Sequence, residues 1–214
     1  MLPIISFVGK SESGKTTLLA RIITILKQRG YKVAAIKHTQ EFELEKEGKS
    51  SSELGKAGAD TVIVTSPEEL AIMKKTDHDL DPREVARLIN EDIDLVLTEG
   101  FKKASAMKIE VHRKEQGKGL LVSPNQLLAV VTDEPLDVTV PQFDRDDIEG
   151  LTDLIEKWLL DQPKEEAELF VNDNFVPMNR FVKDFITKTL LGMVSTLNGI
   201  NGIKSLRIML RRRS

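Results

Sequence analysis

The chain contains no cysteine among its 214 residues. This absence excludes disulfide bonds, a thiolate nucleophile and a zinc site with cysteine ligands, and it suits a reducing compartment. No apolar stretch approaches the roughly 20 residues that a membrane-spanning helix needs. We therefore expect a cytoplasmic protein that has no membrane partner.

A large net charge is also lacking. The chain has 31 Lys and Arg against 34 Asp and Glu, a formal net charge of -3, so no broad basic field would attract nucleic acid. The basic ending Arg211-Arg212-Arg213 is typical of a solvated tail. The N-terminus has no basic lead and does not resemble a signal peptide. With 40% apolar and 30% charged residues, the composition is that of a soluble globular protein.

A phosphate-binding loop stands near the N-terminus, between a buried apolar run and a helix-periodic segment. Two glycines with four residues between them are followed by Lys and Thr, which is the P-loop pattern. The backbone N–H groups of such a loop and the positive end of the next helix face phosphate oxygens. We expect Lys15 to reach the β- and γ-phosphates and the Thr16 hydroxyl to coordinate Mg²⁺. The predicted nucleotide-binding residues of this motif are Gly9, Lys10, Ser11, Glu12, Ser13, Gly14, Lys15, Thr16 and Thr17.

Two charged residues each have two interpretations. Lys10 resembles the additional lysine of dimeric P-loop ATPases, which reaches phosphates across the interface, but a solvent-facing lysine explains it as well. Glu99 follows a buried strand and precedes Gly100, where an acidic residue would lie at the metal and its waters. Its alternative is a strand-end charge without a partner. With Lys15, Glu99 is the predicted catalytic residue.

Apolar runs alternate with helix-periodic segments, which predicts an α/β fold. The expected architecture is a P-loop NTPase-type doubly wound, mainly parallel sheet with helices on both faces. Residues 1–161 form this predicted domain, with a hairpin at 61–65 and 70–73 and a helix from residue 81 to about residue 90.

Residues 162–214 form a predicted small α+β extension. It comprises a charged linker at 162–168, a hairpin at 169–178, a helix at 181–197 and a strand at 206–210. About fifty residues bury little core alone, so the extension should pack on the main domain or on a second subunit. We therefore expect a homodimer.

Several sequence blocks together resemble the MobB family of molybdopterin-guanine dinucleotide biosynthesis adaptor proteins. The resemblance covers roughly residues 1–161 and extends well beyond the P-loop. Its blocks are Ser13-Gly14-Lys15-Thr16-Thr17-Leu18, Ile36-Lys37-His38-Thr39, Gly48-Lys49-Ser50 with Lys56-Ala57-Gly58-Ala59, Thr98-Glu99-Gly100-Phe101-Lys102, Lys108-Ile109-Glu110-Val111, Ala129-Val130-Val131-Thr132-Asp133 and residues 141–147.

The resemblance implies GTP binding with weak GTPase activity, Mg²⁺ as cofactor and a role beside MobA, which joins GMP to molybdopterin. A MobA-like guanylyltransferase or a molybdoenzyme would be the partner, and molybdopterin itself is a candidate ligand. It also implies that Thr16 and Glu99 lie at the metal. The candidates for pterin contact or for a switch loop are His38, Thr39, Gly48, Lys49 and Lys102.

This chain departs from the family at two places. Gln40-Glu41-Phe42 replaces a His and an Asp that usually follow the Lys-His-Thr block, and Ser51 replaces an Asp. Glu43, Glu45 and Glu47 are the candidates to replace the lost carboxylates. These departures concern hydrolysis and metal binding rather than nucleotide binding.

The roles of two further residues stay open. His38 is either a strand-end imidazole bonded to backbone or a contact to a phosphate or pterin oxygen. Asp133 follows a buried strand and either accepts from guanine N1–H and N2–H₂ or forms a turn before Glu134-Pro135.

Three functions compete at this point. The first is a GTP-binding accessory protein for molybdenum or tungsten cofactor maturation, and the absence of an evident arginine finger predicts slow turnover. The second is an ATP-using small-molecule kinase or a ligase of the dethiobiotin synthetase type. The third is a non-catalytic, nucleotide-gated scaffold that delivers a metal or pterin.

Overall fold

A computed structural model describes residues 2–40, 50–117, 119–163, 167–172, 174–199, 202–203 and 206–210. It begins with strand β1 (Ile4–Gly9), helix α1 (Lys15–Gln28) and strand β2 (Val33–Lys37). β1 is buried along its whole length. α1 buries one stripe at helical spacing, which explains why the amphipathic segment lies against the sheet.

Six parallel strands form the main sheet, in the order β2-β5-β1-β6-β7-β8. The remaining strands are β5 (Leu95–Glu99), β6 (Met107–Val111), β7 (Leu127–Val131) and β8 (Gln142–Phe143). Because all six run the same way, the loops that follow them meet at one edge. The doubly wound parallel sheet is confirmed, while the two-residue strand β8 was not predicted.

Helices cover both faces of the sheet, as predicted. On one face α1 packs beside α4 (Ile148–Leu160) over the larger apolar cluster. On the other face α3 (Pro82–Ala86) contributes Ala86 to a smaller cluster. The predicted extension of this helix to about residue 90 is wrong. The amides of Leu88 and Ile89 bond to carbonyls three residues back, so an α-helix does not continue.

A separate antiparallel hairpin follows helix α2 (Ser50–Lys56). It consists of β3 (Thr61–Thr65) and β4 (Leu70–Lys74), which confirms the predicted pairing. Val62 is buried, and a Cβ on Gly55 of α2 would lie 3.9 Å from its Cγ2. Ile63 and Ile72 oppose each other and are exposed.

The C-terminal extension contains the predicted hairpin and helix. β9 (Leu169–Val171) pairs with β10 (Asn174–Val176), and α5 (Arg180–Ser195) follows. The Phe170 ring lies 3.8 Å from the Arg87 guanidinium carbon, which places the hairpin against the main domain.

The strand predicted at residues 206–210 is wrong. These residues are exposed and pair with no strand among those that the structure describes. Arg207 instead donates to the Asn90 side chain and to the Ile89 carbonyl. Across all the described ranges, no helix is both long enough and apolar enough to cross a membrane.

Candidate nucleotide-binding site

The predicted P-loop connects β1 to α1 at the carboxyl edge of the sheet. Gly14 precedes the helix with φ 91° and ψ 14°, a left-handed conformation that glycine adopts without strain. No side chain caps the helix. The first-turn N–H groups and the positive end of the helix dipole are therefore available to an anion.

Gly9 is required by a close approach of two backbones. A Cβ atom at this position would lie 2.5 Å from the Val111 carbonyl oxygen and 2.7 Å from Ser13 Oγ. Real Cβ atoms do not approach backbone so closely, so the loop can leave β1 here only through glycine. The motif and the packing of β1 against β6 thus depend on the same residue.

Lys15 curls back over the loop that it follows. Its Nζ donates to the Lys10 carbonyl oxygen at 2.6 Å and to Ser13 Oγ at 3.4 Å. Burial lowers the pKa of Lys15; the Glu99 carboxylate raises it, and the neighbouring charges of Lys102 and Lys37 lower it further. Three ammonium groups therefore share this part of the site.

Glu99 lies at the end of β5, next to the strand that carries the P-loop. Its Oε2 accepts a hydrogen bond from Thr16 Oγ1 at 2.7 Å and lies 3.6 Å from Lys37 Nζ. The carboxylate therefore has partners, unlike the strand-end charge considered as an alternative. Lys37 was not predicted as a site residue, although it belongs to the quoted Lys-His-Thr block.

The oxygen atoms of Thr16 and Glu99 suit a hard cation. Mg²⁺ prefers oxygen ligands and keeps several waters, so it needs only a few protein groups when phosphates supply others. Among the described residues, no cluster of three or more His, Cys, Asp or Glu side chains could hold a metal alone. The donor set fits a phosphate-dependent Mg²⁺ site rather than a metal cage built by the protein.

His38 follows β2 and bonds to a side chain rather than to backbone. Its Nε2 lies 2.8 Å from Asp79 Oδ1, and its ring centroid lies 4.7 Å from that of Phe101. A Cβ on Gly100 would come within 3.1 Å of the His38 Cβ, so glycine permits this approach. No pattern in the sequence indicates a pairing partner for His38; Asp79 stands in the acidic run around His78. The candidates Gly48 and Lys49, with Glu43, Glu45 and Glu47, lie outside the described residues.

Asp133 lies at the end of β7, and its carboxylate already has backbone and side-chain neighbours. Oδ1 accepts from the Lys114 amide at 2.9 Å, and Oδ2 lies 3.9 Å from Arg113 Nη1. The Lys114 amide is the main cause of the lowered pKa of Asp133. The carboxylate therefore bridges two loops rather than only forming the local turn before Glu134.

Lys10 bonds to the segment that follows β6. Its Nζ donates to the Gln116 carbonyl oxygen, while Gln116 Nε2 donates to the Ser11 carbonyl oxygen at 2.7 Å. The residues following β6 thus contact the P-loop directly. Sequence reasoning missed this segment because it matches no phosphate-binding motif.

β6 carries two buried charges on one side of the sheet. Lys108 donates to the carbonyl oxygens of Ala104 and Ala106, and burial lowers its pKa. Glu110 accepts from the amides of Leu121 and Val122 at 2.7 and 3.2 Å. The alternating polar and apolar pattern of this strand therefore reflects backbone-binding side chains, not a solvated face.

Comparison with known proteins decides the family. Residues 4–133 match the family described as Molybdopterin guanine dinucleotide synthesis protein B, MobB. The chain belongs to the MobB family. It is 38% identical over 172 residues to the molybdopterin-guanine dinucleotide biosynthesis adapter protein of Escherichia coli (strain K12), covering 76% of this chain and 96% of that protein.

The MobB fold is also found among solved structures. A crystal structure of molybdopterin-guanine biosynthesis protein B is 31% identical to this chain, with a TM-score of 0.55. The match covers 72% of this chain and 99% of that one. The family and fold expected from the sequence blocks are both confirmed.

One relative matches nearly the whole length of this chain. A relative from Methanocaldococcus jannaschii is 24% identical over 230 residues, and the match covers 96% of each chain. That coverage includes most of residues 162–214. The match to the Escherichia coli protein covers 76% of this chain, although it covers 96% of that protein. The match to the Methanocaldococcus jannaschii relative therefore extends into the C-terminal extension.

Proposed function

We propose that this MobB protein binds GTP with Mg²⁺ and acts as a slowly hydrolysing adapter in molybdopterin guanine dinucleotide biosynthesis. The observation that carries the proposal is the arrangement of Lys15 in the P-loop beside the Thr16–Glu99 hydrogen bond. This arrangement provides both phosphate recognition and oxygen donors for a cation at one edge of the sheet.

The charge balance of the site favours a polyphosphate. Lys15, Lys37 and Lys102 are close enough for their charges to interact with one another or with the Glu99 carboxylate. The excess of positive charge adds to the amides at the start of α1, and together they suit a ligand that carries several negative charges.

The Thr16 hydroxyl and the Glu99 carboxylate would hold Mg²⁺. When bound, the metal neutralises charge on the phosphates. Lys15 would hold phosphate oxygens in place, and Thr16 would exchange its bond to Glu99 for the cation. Slow hydrolysis is expected because these groups supply positioning and charge, while the sequence has no evident arginine finger.

Guanine is the proposed base for two reasons. The relatives are named for a guanine dinucleotide. In addition, Asp133 lies at the carboxyl end of β7, and its Oδ2 is the less engaged oxygen of a 37% exposed side chain. A carboxylate oxygen accepts from guanine N1–H and N2–H₂, groups that adenine does not offer.

A partner would approach the mouth of the site. His38, Thr39 and Lys102 lie on the loops after β2 and β5, so they are the proposed contacts to the pterin or to a MobA-like guanylyltransferase or molybdoenzyme. This part of the proposal is tested by co-purification of the partner with the wild-type chain and with Lys102→Ala.

A homodimer is also proposed, because α5 has no buried residue and exposes Phe181 and Phe185. Burial of such aromatic side chains favours association. Sedimentation equilibrium should give twice the chain mass for the wild type and a shift toward monomer for the Phe181→Ser, Phe185→Ser double variant. A wild-type monomer at micromolar concentration would overturn this part.

Calorimetric titration with GTP and ATP, with and without Mg²⁺, tests the nucleotide. We expect GTP to bind more tightly than ATP. Lys15→Ala should weaken GTP binding about 30- to 150-fold. This factor corresponds to about 2–3 kcal/mol, the free energy of hydrogen bonds to a charged group.

Lys27→Ala is the matched control, because Lys27 lies in the last turn of the same helix. It should leave affinity unchanged. Tighter binding of ATP would refute the assignment of guanine, and an unchanged affinity in Lys15→Ala would refute the phosphate site itself.

A further inference from the structure

The outer side of the P-loop is hydrogen-bonded to the segment that follows β6. Arg113 Nε donates to the Ser13 carbonyl oxygen at 3.0 Å, and Gln116 Nε2 donates to the Ser11 carbonyl oxygen at 2.7 Å. Lys10 of the loop in turn donates to the Gln116 carbonyl oxygen. Three hydrogen bonds therefore join two loops that are about a hundred residues apart in the sequence.

These bonds answer a requirement of the loop's geometry. A P-loop turns its N–H groups toward the phosphates, so carbonyl oxygens point away and need donors from elsewhere. The loop also contains unusual backbone conformations: Glu12 has φ 61° and Gly14 has φ 91°. A left-handed non-glycine residue persists only when its surroundings hold it. Donors fixed by another strand provide that restraint.

Arg113 is itself held firmly. Its side chain is 16% exposed, with Nη1 3.9 Å from Asp133 Oδ2. A Cβ on Gly14 would lie 3.1 Å from Arg113 Nη2, so the guanidinium packs against the residue that precedes α1. The adjacent Lys114 amide is bonded to Asp133. The donors therefore rest on the ends of β6 and β7.

We propose that Arg113 and Gln116 are positioning residues that hold the P-loop in its phosphate-binding conformation before the nucleotide arrives. This inference rests on the proposed function, because it assumes that the loop binds phosphates. It assigns a role to a segment that carries no phosphate-binding motif. The donors bond to the outside of the loop, so they act through the loop rather than by touching the ligand.

Preorganisation makes a specific prediction about the ligand. Removing a donor should weaken the binding of any ligand that uses the loop, including inorganic tripolyphosphate, which has no base or sugar. Gln116→Met and Arg113→Met should each lower the affinity for GTP and for tripolyphosphate about tenfold, the value of one hydrogen bond. Arg113→Lys retains the charge but not the planar fork and should recover only part of that loss.

Glu115→Gln is the matched control, because Glu115 lies exposed between the two donors. It should bind both ligands as the wild type does. A second measurement is amide hydrogen exchange of residues 9–17 without nucleotide, which should be faster in Gln116→Met than in the control.

The outcomes separate the positioning role from a general structural one. If Gln116→Met and Arg113→Met lower the melting temperature but leave both affinities and loop exchange unchanged, the positioning role is wrong. If the wild type binds tripolyphosphate and ATP but not GTP, the proposed function fails, and the same variants still test the positioning role with ATP. If the wild type binds no phosphate ligand, both proposals fail.

Discussion

Glu99→Gln should have opposite effects on nucleotide binding with and without Mg²⁺. In the structure the Glu99 carboxylate neutralises part of the charge of Lys37 and Lys15 and accepts the Thr16 hydroxyl. Without metal, a phosphate ligand must compete with that carboxylate for the lysines. Removing the charge should therefore tighten metal-free binding, while the benefit of adding Mg²⁺ should shrink.

The size of the first effect follows from the ion pair. Lys37 Nζ lies 3.6 Å from Glu99 Oε2; the lysine side chain is 60% exposed and the glutamate side chain 13%, so the dielectric constant of water sets a lower bound on the effect. Coulomb's law then gives about 1.2 kcal/mol, which corresponds to about sevenfold in affinity. Salt screens exposed pairs, so the difference should decrease as ionic strength rises.

Calorimetric titration of GTP into the protein, in EDTA and in Mg²⁺, measures both effects. Asp92→Asn is the control, because Asp92 lies 3.3 Å from Lys32 at the opposite edge of the sheet. It also removes one negative charge beside a lysine but should leave GTP affinity unchanged. If Glu99→Gln weakened metal-free binding as much as metal-dependent binding, Glu99 would be a structural support of the loop.

Two further predictions concern the start of the P-loop and the hydrogen bond between the α1–β2 connection and α4. Gly9→Ala should cost about 1–3 kcal/mol of unfolding free energy in urea and abolish GTP binding, because its Cβ would collide with the Val111 carbonyl oxygen. Tyr31→Phe should cost about 1 kcal/mol at neutral pH, because the Tyr31 hydroxyl donates to Glu156 at 2.6 Å. This bond raises the pKa of Tyr31 to about 12 and lowers that of Glu156. The stabilisation is therefore lost as pH rises through about 12 or falls through the lowered Glu156 pKa, so urea titrations should show the smallest difference at acid pH.

Local patterns were sufficient for most of the main sheet. Buried parallel strands read as short apolar runs, so the runs 3–8, 93–98 and 127–132 predict β1, β5 and β7 with their ends displaced by no more than two residues. The helix after the P-loop was equally clear because its apolar residues recur at helical spacing. In both cases the burial that stabilises the element is visible in the element's own sequence.

Elements defined by their partners were not predictable in this way. β8 is two residues long and exists because it pairs with Val130 and Val131. Residues 206–210 have the apolar character of a strand but pair with no described strand, and Arg207 bonds to side-chain and backbone atoms instead. A strand is stable only with a neighbour, and the sequence of one segment does not contain that information.

The same distinction applies within the site. Gly9 to Thr17 form a continuous motif, whereas Lys37, Asp79, Arg113 and Gln116 come to the site from the ends of separate elements.

A general property of parallel sheets brings these residues together. In a parallel sheet the last residue of each strand and those that follow it lie at the carboxyl edge. Lys37 and Glu99 therefore meet beside the P-loop, and Arg113 meets Asp133 on its other side. Once the order β2-β5-β1-β6-β7 is known, the strand-end residues become candidates for the site without any motif. Arg113 follows β6, and β6 is the neighbour of β1 in the sheet. Its contact with the P-loop is therefore a consequence of strand order. Strand order, rather than composition or spacing, therefore determines which residues assist the P-loop.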